Sequence, residues 1–539
     1  LPPRWKIFCA AESRADDNEE SRSAEKVMAQ PDTEKFRLRS FAERLVQQGE
    51  CIVHDAPIDL IDIAPMLDGN PKAVWFRAVG AERSELIGNV MGAKSRLGMA
   101  LDTDAAGLPG AMRERLNTPM APIEVPSSAA PVQEIVLTDD AADLSKLPVH
   151  LQHGLDGGPY ISASLDFARD PANGWTNIGC RRMMLRGART AGIDLIAPSD
   201  LKAIYLKEVA KGEKLPVAYV VGSHPVNFLA AVAPARPMDE LHVLGGMRRE
   251  PVPVVKCKTV DVYVPADAEY VLEGYIDARG HVEPEGPYGE YCGYYGVVKR
   301  NPLFHLTAIT HRKNPLFQTV TIGGRWLGST DTAQLNAARA ETAIWNVLEQ
   351  AIREPVAVYC TGASGGMSTV RVAMRPRNPG EAHNAIAAVF ASVADVKHVF
   401  VFDEDIDIFN DEQVDWAFAT RFQADRDLVV GTGYRAVPID PSLQGSRVGA
   451  KLGFDCTKPF GKANAFEFTV AAPPQMPERS KQKDIEAVLK AGPASYIEIM
   501  AALGTRDGRE LLSSFDTLYA EGRLNRLDDG RYTLNGAKL

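Results

Sequence analysis

The stretch Val282-Glu283-Pro284-Glu285-Gly286-Pro287-Tyr288-Gly289-Glu290-Tyr291 sets two carboxylates, Glu285 and Glu290, five positions apart across a Gly-Pro-Tyr-Gly segment. Pro287 lacks an N–H and the glycines disfavour a helix, so the segment predicts a tight loop. A loop can hold together two acids that a helix would splay apart. Chemistry that adds or removes a proton at carbon needs a pre-placed acid or base of this kind. The same spacing also fits a plain turn carrying two solvated glutamates, and the rest of the chain must decide between the two.

The elements that would position these acids follow from patterning. At 539 residues the chain is too long for one core and predicts several domains. Residues 1–35 read as a disordered lead, charged and poor in large apolar side chains. Residues 36–125 predict an N-terminal α/β domain, with a helix over 36–48, a strand over 73–79 and a helix over 82–97. A strand-rich region spans 126–330, with strands over 217–221, 252–264, 269–276 and 303–311 and one helix over 200–211; its β-branched runs and Gly/Pro turns suggest a barrel or sandwich. Residues 331–472 return to an α/β pattern, with a helix over 334–354 and strands over 356–360, 370–374 and 398–403. After a Pro-rich linker, residues 478–539 predict three short helices (484–490, 496–503, 509–519) and a hairpin over 523–534, an order that resembles a winged helix. The fold class is therefore α+β.

Composition narrows the function classes. Sixty Lys+Arg against 70 Asp+Glu give a net charge of −10, which argues against a general nucleic-acid binder. Residues 478–539 carry ten basic and ten acidic side chains, so the appendage has no basic stripe for phosphates and suits protein contact better than DNA. Seven scattered cysteines without a CxxC fit a reducing, cytoplasmic setting. No apolar run is long enough to span a bilayer, and no signal-peptide pattern is read. Gly362-Ala363-Ser364-Gly365-Gly366 matches G-x-S-x-G, but residues 369–374 read as a strand where a nucleophile elbow needs a helix. No Walker A loop, G-x-G-x-x-G or H-E-x-x-H occurs.

Three segments remain together: Trp175-Thr176-Asn177-Ile178-Gly179-Cys180-Arg181-Arg182-Met183-Met184, Asp239-Glu240-Leu241-His242-Val243-Leu244-Gly245-Gly246-Met247-Arg248, and the Glu285–Glu290 loop. With Asp403-Glu404-Asp405-Ile406-Asp407-Ile408 and Lys451-Leu452-Gly453-Phe454-Asp455, they resemble the UbiD family of reversible (de)carboxylases over roughly residues 36–472. The resemblance implies prenylated flavin mononucleotide, bound with Mn²⁺ (or Mg²⁺) and K⁺ or another monovalent cation in a central, flavin-reductase-like split β-barrel. Carried over by position, Asn177 would be a metal ligand and Arg182 the catalytic arginine, both beside the cofactor. Glu240 would be a second metal ligand, and Glu285 and Glu290 would complete a Glu–Arg–Glu network. Lys397 would pair with the flavin phosphate. Asp200 falls, counted from Arg182, where several members carry a histidine ligand. Aspartate is a harder donor that suits Mn²⁺ or Mg²⁺, although Asp200 also reads as a helix-capping residue. His224, near the turn implied to bind the monovalent cation, reads as a structural histidine.

The chemistry this implies is non-oxidative decarboxylation of an aromatic, heteroaromatic or α,β-unsaturated acid. Arg182 would bind the carboxylate through its planar fork, Glu290 would move the proton, and Glu285 would hold Arg182. Arg325 and Trp326 are candidates for the pocket wall. A separate flavin prenyltransferase is the implied supplier of cofactor, and the implied assembly is a dimer or hexamer. Two other classes stay open: a metal-only lyase or hydrolase, and a non-catalytic scaffold or regulator acting through the winged helix.

Overall fold

Runs of β-branched and aromatic residues between Gly and Pro turns favour strands. In the computed structural model, which describes residues 31–392, 394–462 and 465–535, six such runs close on themselves. In chain order the strands of the barrel and of the ladder beside it are β1 (Tyr160–Arg169), β2 (Thr176–Gly187), β3 (Thr190–Ile193), β4 (Leu215–Val221), β5 (Tyr270–Ile276), β6 (Glu283–Glu285), β7 (Lys299–Asn301) and β8 (Leu303–His311). Hydrogen bonding runs β5-β4-β1-β2-β3-β8, and β8 returns to β5, which closes a six-stranded barrel. Every neighbouring pair is antiparallel. Closure removes the edges that an open sheet would expose. Alternate residues of β4 enter two different apolar clusters: Ala218 and Val220 join one, and Val217, Tyr219 and Val221 the other. Both faces of the barrel wall are thus buried, with period two.

Short helices cover the barrel. α1 (Asp200–Lys211) starts where the Ser199 side chain accepts the Lys202 N–H and ends at Gly212, whose φ of 78° is a left-handed cap. α2 (Pro225–Val232) is capped by His224, whose ring nitrogen accepts the Val226 N–H. α3 (Glu240–Arg248) is capped by Asp239. β6 and β7 stand apart as a two-stranded antiparallel ladder.

At the N-terminal side a helix, Leu38–Gln47, precedes a four-stranded sheet of Cys51–His54, Ala73–Val79, Ser84–Gly88 and Phe317–Gln318. The helix predicted over 82–97 is not formed. Ser84–Gly88 is a strand between Ala73–Val79 and Phe317–Gln318, and a helix begins only at Lys94. Burial of Leu86 and Ile87 in that sheet overrides their local helical periodicity. The single strand predicted over 252–264 is instead a hairpin, Pro253–Lys256 with Tyr263–Pro265. Of the lead predicted to be disordered, residues 1–30 lie outside the described residues. Within 31–35, Glu34 pairs with Arg37 and Arg312.

Contacts divide the chain into two compact units, one drawn from Leu1–Ala343, Cys360–Met367 and Val437–Gly445, the other from Ile344–Tyr359, Ser368–Ala436 and Ser446–Leu539. The second unit holds a five-stranded sheet in the order Pro355–Cys360, Thr369–Met374, His398–Asp403, Val448–Asp455, Leu428–Arg435. It ends in three helices, Ile485–Ala491, Tyr496–Leu503 and Leu512–Ala520, and a hairpin of Leu524–Arg526 with Tyr532–Leu534. These terminal elements enclose their own apolar core, including Ile485, Leu489, Ile499, Phe515 and Leu518. Among the described residues no helix is long and apolar enough to cross a membrane, and six cysteines are free thiols.

Candidate active site

The first unit brings Arg182, Glu285 and Glu290 into contact. Arg182 projects from β2, Glu285 ends β6, and Glu290 follows a short segment in which Gly286 takes a φ of 95° and Tyr288–Gly289 forms a bridge with Tyr295–Gly296. Arg182 Nε donates to Glu285 Oε1 at 3.1 Å, and Nη2 donates to Glu285 Oε2 at 3.3 Å. Nη1 donates to Glu290 Oε1 at 3.1 Å. Glu285 is fully buried, and its oxygens also accept from Tyr160 at 3.0 Å and Asn301 at 3.2 Å. With four donors on two oxygens, it is a fixed anion that sets the plane of the guanidinium. The Arg182 guanidinium also lies 4.5 Å from the Tyr288 ring centroid.

Sequence reading missed several partners here. Asp194 lies 2.8 Å from Arg182 Nη2. Lys299 Nζ donates to Glu290 Oε1 at 3.2 Å and to Asp194 Oδ2 at 3.3 Å. Burial opposes ionisation of Asp194, but Arg182 and Lys299 together hold its carboxyl below the ordinary range. Burial likewise opposes the charge on Arg182, and Glu290, Asp194 and Glu285 outweigh it and raise its pKa. Burial, with Glu285 next to it, pushes the Tyr160 phenol up. The paired prongs of Arg182, assigned from sequence to a substrate carboxylate, are taken by Glu285. Among the described residues, one Nη1 hydrogen is left without an acceptor.

Asn177, Asp200 and Glu240 line a second cavity, of about 280 Å³, with Asp170, Lys207 and Arg236. Asn177 lies on β2 five residues before Arg182, Asp200 opens α1 and Glu240 opens α3. Burial, then the charges of Asp166, Asp200 and Asp239, push Glu240 up to about 7 against the pull of the Ile178 N–H. Asp166 is fully buried and lies 3.1 Å from Arg181 Nε, yet neither of its oxygens makes a hydrogen bond. Crowded carboxylates beside an amide oxygen are a donor set that a hard divalent cation would relieve. The set has only two carboxylates. Among the described residues no group of three or more His, Cys, Asp or Glu is arranged to hold a metal.

His224 is buried, caps α2 and packs edge-on against Phe36 and Phe41. Burial, with Arg248 and Arg44 nearby, lowers its pKa to about 3. Lys397 belongs to the second unit, where its N–H bonds Ser368 O at 2.9 Å just before His398–Asp403. A larger cavity of about 490 Å³ in the first unit is lined by Ile61, Leu67, Gln152, His153, Ile322 and Gly323 among others. The Tyr288 hydroxyl donates to Gln152 and so ties this cavity to the Arg182 cluster. Arg325 and Trp326 do not line it. Trp326 is 62% exposed and lies over Gly69, where a side chain would come within 2.9 Å of the indole.

Residues 123–326 match the 3-octaprenyl-4-hydroxybenzoate carboxy-lyase Rift-related domain, and residues 333–456 match the C-terminal domain of the same carboxy-lyases. The chain belongs to the UbiD family. An anhydromevalonate phosphate decarboxylase of Methanosarcina mazei is 30% identical over 80% of this chain and 98% of its own. A phenolic acid decarboxylase of Sedimentibacter hydroxybenzoicus is 29% identical over 83% of this chain and 96% of its own. The UbiD-class enzyme HmfF from Pelotomaculum thermopropionicum, solved in complex with FMN, superposes with a TM-score of 0.77 at 32% identity, over 81% of this chain and 97% of its own. An evolved dimeric form of HmfF in complex with prFMN gives a TM-score of 0.73 at 31% identity over the same shares.

Proposed function

We propose that this UbiD-family chain is a carboxy-lyase that reversibly decarboxylates an aromatic, heteroaromatic or α,β-unsaturated acid with prenylated FMN. The observation that carries the reading is Arg182, its side chain only 11% exposed, held by Glu285 on one edge and touching Glu290 on the other. A scaffold has no use for such a cluster. The FMN and prFMN complexes of HmfF support the cofactor. When bound, the prenylated flavin supplies a sink for the electrons left behind by CO₂.

The chain's own residues supply the rest. Glu285, fully buried, keeps Arg182 in place. The free Nη1 hydrogen of Arg182 orients the acid. Glu290 holds the proton that goes to the carbon losing CO₂ and takes it back in the reverse direction. Asn177, Asp200 and Glu240 hold Mn²⁺ or Mg²⁺, with Lys207 and Arg236 in the same cavity to meet a phosphate. K⁺ or a similar ion completes the set. The barrel is of the split, flavin-reductase-like kind. The 490 Å³ cavity, with Ile61, Leu67 and Ile322 in its wall, suits a flat apolar body.

A flavin prenyltransferase supplies the cofactor, the assembly is homo-oligomeric, and the setting is cytoplasmic. The terminal three-helix and hairpin module is winged-helix-like and serves protein contact. The test is native mass spectrometry with a UV–visible spectrum on protein co-expressed with a flavin prenyltransferase, followed by CO₂ release from a panel of aromatic acids. Bound prenylated flavin and a stoichiometric divalent metal are expected. A flavin-free protein under those conditions overturns the reading, and a colourless but active one favours metal-only chemistry.

A further inference from the structure

Asp194 and Lys299 stand outside the Arg182–Glu285–Glu290 set, but Asp194 touches Arg182 and Lys299 touches Glu290. Lys299 is delivered by strand register: in the β6–β7 ladder it lies directly opposite Glu285, so both side chains share one face. Its ammonium is 3.2 Å from Glu290 Oε1 and 3.3 Å from Asp194 Oδ2. Asp194 is itself anchored, with Oδ2 2.8 Å from Arg182 Nη2 and Oδ1 accepting the Ile196 N–H at 3.3 Å. The lysine side chain is 17% exposed and that of Glu290 5%, so the contact is only weakly screened by water.

The added Lys–Asp pair contributes no net charge, but it acts unevenly. Arg182 Nη1 already donates to Glu290 Oε1 at 3.1 Å. Lys299 adds a second cationic donor to the same oxygen. Among the described residues no donor reaches Oε2. A proton on Oε1 would confront two N–H groups, whereas a proton on Oε2 confronts none.

The groups that face Glu290 are Arg182 from β2, Asp194 after β3, Glu285 from β6 and Lys299 from β7. The phenols of Tyr160 and Tyr288 and the thiol of Cys292 lie further around it, and their titrations respond to this cluster. His153 packs edge-on against Tyr288. Lys299 and Arg182 are the two cations of this set in contact with Glu290.

We propose that Lys299, held by Asp194, is a positioning residue that confines the transferable proton of Glu290 to Oε2 and sets the pH range over which Glu290 delivers it. This rests on Glu290 being the proton-transfer group of the proposed decarboxylase. In that step the Oε2–H bond breaks, a C–H bond forms with the electron pair of the former C–C bond, and Glu290 is left as a carboxylate facing two cations.

The experiment uses the holoenzyme with Lys299→Met, Lys299→Gln and Lys299→Arg. The Glu290 carboxyl band is titrated by infrared difference spectroscopy, identified by its loss in Glu290→Gln, and kcat and KM are measured across pH. Removing a cation at this distance should raise the Glu290 titration by about one unit or more. The alkaline limb of kcat should move up by the same amount, with KM changed less than about twofold. Lys299→Arg should restore both. If Lys299→Met does not fold, Lys299→Gln, which keeps a donor without the charge, carries the test. An unmoved Glu290 titration overturns the proposal. So does a raised KM with an unmoved pH profile, since Lys299 would then be anchoring the acid. If the wild-type enzyme released no CO₂ from any acid, the functional reading would fall, while the infrared titration would still decide whether Lys299 governs Glu290.

Discussion

Glu290→Gln separates proton transfer from packing. The two donors to Glu290, Arg182 Nη1 at 3.1 Å and Lys299 Nζ at 3.2 Å, share one oxygen, and an amide oxygen can keep both. Only the charge is lost. Hydrogen bonds to charged groups contribute ~1.5–3 kcal/mol against ~0.5–1.5 kcal/mol for neutral ones, so two such bonds lose roughly 2 kcal/mol together. General acid–base catalysis is worth ~10²–10⁴ in rate, or about 2.7–5.4 kcal/mol of barrier. The variant should therefore unfold slightly earlier in urea and keep its flavin and metal, while single-turnover decarboxylation slows at least ~100-fold. Glu285→Gln supplies the contrast. Both Glu285 oxygens accept two donors each, from Tyr160, Arg182 and Asn301. An amide nitrogen on either side would face donors, and breaking a buried pair this way costs ~3–5 kcal/mol. Turnover by Glu290→Gln within tenfold of wild type, or a Glu285→Gln protein more stable than Glu290→Gln, would refute the assignment of the two acids.

Three further outcomes follow from the same geometry. Mn²⁺ should raise the thermal midpoint of metal-free protein, and Glu240→Gln should weaken that response at least ~10-fold because a charged oxygen ligand is lost; an equal response in the variant removes Glu240 from the metal site. His224, held neutral with a pKa of about 3, takes up a proton only on unfolding as pH drops below its ordinary value. Stability should then fall with falling pH, by roughly 2–3 kcal/mol between pH 6.5 and 4.5. His224→Asn keeps the cap and should flatten that slope, whereas an unchanged slope in urea titrations would show that His224 is not its source. Ending the chain at Pro477 removes a module with its own core and should change the number of subunits seen by light scattering without unfolding the rest; an unchanged oligomeric state denies the module that role.

Local chemistry made much of the fold legible. Helix 200–211 and strand 303–311 were readable because a Ser199 cap and a β-branched run announce them without help from distant residues. Residues 84–88 were not, because their conformation is decided by two strands that flank them, one more than 200 residues away. At the candidate site the two glutamates drew attention by type and spacing, and resemblance to the UbiD family added Arg182 and their joint role. Asp194, Lys299, Tyr160 and Asn301 did not. Each enters through barrel closure or the β6–β7 ladder, and the 13 residues between Glu285 and Lys299 hide their pairing. The loss of the Arg182 fork to Glu285 was also invisible, since spacing says nothing about which edge of a guanidinium is taken.

The β6–β7 ladder has an evolutionary consequence. Glu285 faces Lys299 only because the turn between them has one particular length. A single-residue insertion or deletion there slides one strand past the other and flips its side chains, exchanging Lys299 for Val298 or Arg300. The length of the segment between Glu290 and Lys299 thus works as a selector: changing it would set an ammonium, a guanidinium or a hydrocarbon beside the candidate proton-transfer acid without moving Glu285.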